Sequence, residues 1–287
     1  MRPIPQFEYH APITLAGALE LLNDLDKVKP IIGGTDLMVS MRQAVCNPEH
    51  IVDLNRIPEL NYIKAEEDFI KIGATNTHNQ VASNPLTKDI PALYDAVSRI
   101  GSPQIRNRGT ITGNIVNASP AADTACPLIV HNAEIEIQSV DSTNILPIEE
   151  LFVGPKINCL EPNELVTEIR IPRPPANSSS AYKRIGRRKA FTLSVVSSAV
   201  YLQVEDNICV DAGLAFGSVA MTPLRVPEAE EKLKGVELTK ENIHEASETV
   251  RDYVQPITDV RGTDDYRKDM CPVLMRRAIH ACMDRMR

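Results

Sequence analysis

Tryptophan is absent from this chain of 287 residues, and aromatic residues make up only 4% of it. Aromatic platforms that stack nucleic-acid bases are therefore not expected. Acidic residues outnumber basic residues, with 38 Asp and Glu and 31 Lys and Arg. This excess of negative charge argues against non-specific nucleic-acid binding. No run of about 18 apolar residues is present, so no membrane span is expected. The N-terminal segment lacks an apolar core of signal-peptide length, so a cytoplasmic location is expected.

No Cys-x-x-Cys pair occurs among the six scattered cysteines. An iron–sulfur cluster needs four thiolates at tight spacings, and zinc needs Cys or His at ligand spacing, so neither is expected in this chain. Reduced, mostly buried thiols are expected, and Cys126, beside a proline in an apolar run, is predicted to be packed rather than nucleophilic. The histidines lack any triad or H-E-x-x-H context, so satisfied or surface histidines are expected and no catalytic residue is nominated.

Helix and strand patterns alternate in the first part of the chain. Thr14 is placed to cap a helix that carries Leu15, Leu19 and Leu22 on one face. A short strand at "PIIGG", a helix over 37–44 and a strand over 50–54 then form a β–loop–α–β unit.

A change in character follows the segment 171–181, "IPRPPANSSSA", which is predicted to be a stiff, polar, unpaired connector. Beyond it, "TLSVVSSAVYLQV" and "CVDAGLAFGSVA" predict two long neighbouring strands. Two amphipathic helices follow, one with Ile243, Ala246, Val250 and Val254 on a face and one with Cys271, Leu274, Ala278 and Cys282.

The glycine pair Gly33–Gly34 lies between the predicted strand at "PIIGG" and the helix after it. Amides at such a turn point outward together and, with the positive end of the helix, form an anion site that glycine lets a phosphate approach. The alternative is an ordinary tight turn that needs positive φ. The stretch alone leaves both interpretations open.

The segment 100–123, "IGSPQIRNRGTITGNIVNASPAAD", is predicted to be a long loop because it shows little periodicity, and such loops are often functional. Within it, "GTITGN" repeats the glycines and hydroxyls of the first turn, so two turns could hold one diphosphate from two sides. Neither G-x-G-x-x-G nor G-x-x-x-x-G-K-[ST] occurs, which disfavours a Rossmann domain or a P-loop.

Five segments in this order resemble the FAD-binding subunit of the molybdenum hydroxylases, a family that includes xanthine, nicotinate and carbon monoxide dehydrogenases. They are "PIIGGTDLM", "HIVDLNRIPELNYI", "FIKIGATNTHNQV", "SPQIRNRGTITGNIVNASPAADTACPLIV" and "AYKRIGRRKAFTLSVVSSAV". The resemblance implies an α+β fold. A FAD-binding domain of the vanillyl-alcohol-oxidase type would span 1–175, with subdomains of about 1–56 and 57–175, and a C-terminal α/β domain would span 176–287.

The resemblance also implies a FAD site. One side of the diphosphate would be wrapped by Lys29, Pro30, Ile31, Ile32, Gly33, Gly34, Thr35, Asp36 and Leu37. The other side would be wrapped by Thr110, Ile111, Thr112, Gly113 and Asn114. Further implied contacts are Gly101, Asn117, Asp123 as a hydrogen-bond partner, Val166 through its backbone, and Lys183 near the flavin.

Lys183 has a physical rationale, because a cation near a reduced flavin favours electron acceptance. The alternative is that Lys183 is one of several solvated bases in "KRIGRRK", which also includes Lys189 and would contact a partner or solvent.

The function implied by the resemblance is electron transfer within a larger enzyme. Electrons would arrive from [2Fe–2S] clusters of an iron–sulfur small subunit, after hydroxylation at a molybdopterin large subunit, and would leave to NAD(P)+ or another acceptor. One branch of the family, which contains 4-hydroxybenzoyl-CoA reductase, carries four clustered cysteines for an additional [4Fe–4S] cluster, and this chain lacks them. A benzoyl-CoA substrate is therefore disfavoured, and an N-heterocycle such as nicotinate or xanthine is expected among the remaining substrates. Two alternatives stay open: a stand-alone FAD-dependent oxidoreductase of the same fold, and a non-flavin scaffold.

Overall fold

The computed structural model describes residues 3–188 and 192–287, so Lys189 of the basic segment lies outside the described residues. Over these two ranges the chain folds into a three-stranded sheet, a five-stranded sheet, a four-stranded sheet and a small hairpin, with helices between them. The expected α+β fold class is confirmed.

The first sheet is parallel, with strand order β1-β3-β2. Its elements are β1 (Glu8–His10), α1 (Leu15–Asp24), β2 (Val28–Ile31), α2 (Leu37–Arg42) and β3 (His50–Asp53). The Thr14 hydroxyl accepts a hydrogen bond from Gly17 N, which confirms the predicted cap of α1. Leu19 and Leu22 of α1 are buried in the same core as Val52 of β3. The turn between β2 and α2, residues 32–36, leaves the sheet at its carboxyl edge, where open parallel sheets bind ligands.

The second sheet is antiparallel, with strand order β4-β5-β10-β6-β7. The elements of this part are β4 (Ile63–Glu66), β5 (Phe69–Gly73), α3 (His78–Ser83), α4 (Pro91–Val97), α5 (Pro103–Arg106), α6 (Ile111–Val116), α7 (Ala125–Val130), β6 (Glu134–Gln138), β7 (Thr143–Pro147), β8 (Phe152–Gly154), β9 (Ile157–Asn158) and β10 (Leu165–Pro172). Alternate residues such as Ile70, Ile135 and Ile169 face a core that is shared with the helices.

The prediction of a long irregular loop over 100–123 is wrong. The segment contains α5 and α6, which begin at the caps Ser102 and Thr110. Each cap hydroxyl accepts a hydrogen bond from the backbone N–H three residues later, at 3.3 Å from Ile105 and 3.0 Å from Gly113. Helices of four and six residues are too short to show an apolar periodicity, so the pattern did not reveal them.

The third sheet is antiparallel, with strand order β11-β12-β13-β14. Its elements are β11 (Ser178–Gly186), β12 (Ser194–Glu205), β13 (Ile208–Gly217), β14 (Leu224–Arg225), α8 (Pro227–Glu231), α9 (Lys240–Thr249) and α10 (Asp264–Met286). Short 3-10 helices occur at Pro58–Leu60, Pro85–Asp89, Ile148–Leu151 and Val250–Asp252. The two long neighbouring strands and the buried face of α10 are confirmed. The first predicted helix is shorter than expected, because α9 ends at Thr249, Val250 lies in the 3-10 helix that follows, and Val254 lies beyond that helix.

This third sheet has helices on both faces. Ala181 and Val200 belong to the core formed with α8, α9 and α10, whereas their neighbours Tyr182 and Ala199 belong to the core of the second sheet. Because successive residues of a strand point to opposite faces, β11 and β12 join the two cores.

The prediction of an unpaired connector over 171–181 is wrong at both ends. Strand β10 extends to Pro172, and β11 begins at Ser178. Ser180 is fully buried, and its hydroxyl accepts a hydrogen bond from Ala92 N at 3.0 Å. The polar composition of the serines predicts a solvated linker, because the sequence alone does not show that β12 pairs with them.

All six cysteines are free, and four of them, including Cys126, are buried. Burial raises the pKa of the Cys126 thiol to about 12, so the expected packed thiol is confirmed. Across residues 3–188 and 192–287, no helix has the length and apolar character needed to cross a membrane.

Candidate functional site

Two segments that are distant in sequence meet at the carboxyl edge of the first sheet. A Cβ atom on Gly33 would lie 2.1 Å from the carbonyl oxygen of Arg108 and 2.9 Å from Cα of Gly109. A Cβ on Gly109 would lie 3.4 Å from the Thr35 hydroxyl. The turn 32–36 therefore packs backbone to backbone against the segment that leads into α6, and Gly33 is required by this close approach.

The turn 32–36 presents backbone donors that have no partner among the described residues. Gly34 has φ +68°, and its carbonyl accepts a hydrogen bond from Met38 N at 3.1 Å, which begins α2. Within the described ranges, the N–H groups of Gly33, Gly34, Thr35 and Asp36 donate to no other group. Four free amides before a helix N-terminus form an arrangement that attracts an anion.

The N-terminus of α6 supplies the facing side of the site. Thr112 is buried, and its hydroxyl oxygen has no hydrogen-bond partner among the described residues. Leaving a buried polar group unpaired costs about 1–3 kcal/mol, so a ligand that supplies a partner would recover that energy. The free amides, the close approach at Gly33 and this orphaned hydroxyl together fit the phosphates of a dinucleotide cofactor.

The position of α6 is fixed at its far end. The Asn114 side-chain oxygen accepts hydrogen bonds from the Thr124 hydroxyl at 2.7 Å and from Thr124 N at 3.3 Å. Asn117 ends α6, and its N–H donates to the Gly113 carbonyl at 3.2 Å. Helix α6 is therefore tied to the residue that follows Asp123.

Asp123 is buried and accepts three hydrogen bonds from the third sheet. The donors are the Tyr182 hydroxyl at 2.5 Å, the Ser194 hydroxyl at 2.5 Å and Arg184 Nη1 at 2.6 Å. We call these four residues the Asp123 network. Burial and the nearby carboxylate hold the pKa of Tyr182 well above its usual range, so its hydroxyl stays a donor. A carboxylate has about four acceptor sites, so Asp123 keeps capacity for one more donor.

Other residues predicted to contact FAD lie in β2, at the start of α2, in the turn before α5 and in β10. Ile31 ends β2 and Leu37 begins α2, and the Ile32 carbonyl accepts a hydrogen bond from the Asn55 amide at 2.9 Å. Gly101 has φ +52° in the turn before α5. Val166 lies in β10 beside a β-bulge. At this position β10 pairs with β6, whereas its pairing with β5 begins at Glu168.

Lys183 is separated from the Asp123 network. Tyr182 and Arg184 reach Asp123, so Lys183 between them points to the other face of β11. Its charge acts on Cys282 of α10. The role of Lys183 beside the flavin stays a prediction.

His78 is a residue of this site that sequence reasoning missed. The expectation of satisfied or surface histidines is wrong here, because His78 is 2% exposed and its Nδ1 has no partner within the described part of the chain. Burial and the charge of Arg106 lower its pKa to about 4. The backbone N–H of His78 donates a hydrogen bond to the Gly109 carbonyl at 2.9 Å, so His78 supports the segment that leads into α6. The available signal was the capping box Thr77–Gln80, which places His78 at the start of a helix.

A cofactor cradle at the edge of the first sheet, followed by a separate C-terminal sheet, defines a two-domain flavoprotein. Comparison with protein-family models supports this class. Residues 5–174 match the FAD binding domain in molybdopterin dehydrogenase, and residues 180–282 match the CO dehydrogenase flavoprotein C-terminal domain. The chain belongs to this family of FAD-binding subunits of oxidoreductase complexes, and FAD is its cofactor.

Relatives cover nearly the whole chain. The nicotinate dehydrogenase FAD-subunit of Eubacterium barkeri is 35% identical over 270 residues, which cover 92% of this chain and 91% of the relative. A xanthine dehydrogenase FAD-binding subunit of Escherichia coli is 31% identical, with 94% of each chain covered. A solved structure of carbon monoxide dehydrogenase from Hydrogenophaga pseudoflava superposes with a TM-score of 0.95 at 33% identity, with 99% of each chain covered. The resemblance predicted from the sequence is confirmed.

Proposed function

We propose that the diphosphate of FAD lies between the turn 32–36 and the N-terminus of α6. The observation that carries this proposal is the direct packing of Gly33 on Arg108 and Gly109, which brings the free amides of the turn 32–36 against the segment that leads into α6. The buried Thr112 hydroxyl supports this proposal, because no described residue accepts a hydrogen bond from it and a phosphate oxygen could do so. The proposed contacts are Lys29 to Leu37, Gly101, Thr110 to Asn114, Asn117, Asp123, Val166 and Lys183.

In this proposal the chain is an electron-transfer subunit. FAD, when bound, exchanges electrons one or two at a time, and the protein supplies binding, orientation and electrostatics. The turn 32–36 and α6 hold one end of the cofactor, and the Asp123 network fixes the C-terminal sheet beside it. The proposed domain boundaries are 1–56, 57–175 and 176–287.

We propose a complex with an iron–sulfur small subunit and a molybdopterin large subunit. Electrons would pass from [2Fe–2S] clusters through this chain to NAD(P)+ or another acceptor. The relatives named as nicotinate and xanthine dehydrogenase subunits support an N-heterocycle as the substrate of the complex. The substrate pocket would lie in the large subunit.

Ligand competition tests the diphosphate cradle. The chain, freed of flavin, is titrated with FAD, FMN and riboflavin, and bound FAD is then competed with ADP or adenosine. We expect FAD to bind at least 100-fold more tightly than FMN, since FMN lacks the second phosphate and the adenosine, and we expect ADP to compete far better than adenosine. Equal affinities for FAD and FMN, with no competition by ADP, would rule out the cradle.

The electron path is tested separately with the complete complex. Nicotinate and xanthine are supplied with NAD+, NADP+ or a dye, before and after removal of FAD. Substrate oxidation with NAD(P)+ should require FAD, whereas a dye that accepts electrons directly from the clusters should not. Turnover of a small substrate by the isolated chain would instead favour a stand-alone oxidoreductase.

A further inference from the structure

Three potential metal ligands meet on the first sheet, away from the proposed cofactor site. His10 Nε2 and His50 Nδ1 are 3.1 Å apart. The Glu8 carboxylate lies 3.6 Å from His50 Nδ1 and 4.0 Å from His10 Nε2. Two imidazole nitrogens and one carboxylate therefore converge on one small volume.

The strand register produces this convergence. Glu8 of β1 is directly opposite His50 of β3, and His10 is two residues further along β1 on the same face. Glu8 and His50 begin their strands, whereas the turn 32–36 follows the end of β2. The cluster is therefore at the amino edge of the parallel sheet, and the proposed diphosphate site is at the carboxyl edge.

The spacing of the ligand atoms fits a tetrahedral ion. Zinc binds histidine nitrogen at about 2.0–2.1 Å and carboxylate oxygen at about 2.0–2.2 Å, so two ligand atoms of a tetrahedral site are about 3.3 Å apart. The observed separations of 3.1 Å and 3.6 Å bracket this value, and small rotations of the exposed Glu8 side chain bring the third pair into range.

The surroundings favour a cation at this position. Glu49, the residue before His50, forms an ion pair with Lys27 and also interacts electrostatically with His50. The Glu8 side chain is 67% exposed and the two histidine side chains are 18% and 22% exposed, so an ion can enter from solvent. Glu8 pairs with no Lys or Arg within residues 3–188 and 192–287, so its charge is available to a metal.

We propose that Glu8, His10 and His50 bind one Zn²⁺ ion, with water as the fourth ligand, and that the ion fastens the edge strand β1 to β3. Imidazole ligands select zinc over calcium and magnesium, which take oxygen ligands. The Cys and His spacing in the sequence indicated no zinc site, because the ligands come from strands 40 residues apart that only the register brings together.

Zinc titration of the full-length chain with bound FAD tests the proposal. Isothermal titration calorimetry should give one saturable Zn²⁺ site per chain, and added Zn²⁺ should raise the thermal midpoint of unfolding. The double substitution His10→Gln and His50→Gln should weaken Zn²⁺ binding at least 100-fold and abolish the midpoint shift. Glu8→Gln, at an exposed position, should weaken binding at least tenfold with the fold intact.

Control variants separate this site from other metal ligands. His244→Gln, at an exposed histidine outside the cluster, should bind Zn²⁺ as the parent does. Cys46→Ser with Cys159→Ser, at the two partly exposed thiols, should also leave the affinity unchanged. Equal Zn²⁺ affinity in the parent and the double histidine variant, loss of binding in the cysteine variant, or no saturable binding in the parent would each overturn the proposal.

Discussion

Replacing Gly33 with alanine tests the packing on which the proposed FAD site depends. The added Cβ would lie 2.1 Å from the Arg108 carbonyl oxygen, whereas ordinary contact begins at about 3.4 Å, so the two segments must separate by about 1.3 Å. Both sides of the contact are backbone and cannot change rotamer. Overpacking of this kind costs about 1–3 kcal/mol, and we expect a value near the upper end.

We expect this displacement in Gly33→Ala to weaken FAD binding more than it lowers the stability of the fold. A shift of about 1 Å between the turn 32–36 and α6 removes the simultaneous approach of their amides to one diphosphate. A loss of about 2.8 kcal/mol in binding corresponds to a 100-fold weaker affinity. Flavin absorbance of the purified chain gives the occupancy, and fluorescence titration of the flavin-free chain gives the affinity.

A matched substitution shows whether the effect is local. A Cβ on Gly154 would lie 3.7 Å from its nearest neighbour, Ile157 Cδ1, so Gly154→Ala should keep both stability and FAD affinity. Full FAD occupancy and parental affinity in Gly33→Ala would refute the argument that this approach forms the cradle. Equal losses in both variants would show that glycine replacement acts through general destabilisation.

Three further substitutions test other parts of the molecule. Thr112→Val should weaken FAD binding about tenfold and slightly stabilise the flavin-free chain, because it removes an unpaired buried hydroxyl; titration and urea unfolding measure the two effects. Arg184→Met leaves the buried Asp123 without its cationic partner and should lower the free energy of unfolding by about 3 kcal/mol, with Arg184→Lys costing less. Burial lowers the pKa of His131 from 6.5 to about 4. As the pH falls, His131 is therefore protonated in the unfolded chain before it is protonated in the folded chain. As far as it depends on His131, the free energy of unfolding is highest above pH 6.5 and decreases as the pH falls toward 4. His131→Phe should remove about 2 kcal/mol of the stability difference between pH 7 and pH 5, and an unchanged pH dependence would contradict this assignment.

The parts of the fold that the sequence predicted are those with a strong local pattern. Two of these predictions are confirmed: Thr14 caps α1, and Ile243 and Ala246 are buried on one face of α9. Both features depend on residues that are close in sequence. Helices α5 and α6 were missed because they are four and six residues long. Ser178 to Ala181 was assigned to a linker because strand pairing with β12 is a tertiary effect that overrides a polar composition.

The candidate site was predictable only in its pieces. The glycine pair and "GTITGN" each indicated a place for phosphate, but the contact of Gly33 with Arg108 joins residues 75 positions apart and follows from the fold alone. Asp123 was predicted as a partner of the cofactor, and its three donors from the third sheet could not be inferred from local sequence.

The Asp123 network makes the cofactor site depend on the C-terminal sheet. Asn114 holds α6 to Thr124, and the next residue back along the chain is Asp123, which is bound by Tyr182, Ser194 and Arg184. A movement of the C-terminal sheet would therefore pass through Asp123 to α6. Because buried charged networks tolerate little displacement, we expect a displacement of the C-terminal sheet to change the position of α6 and, in the proposed site, the affinity for FAD.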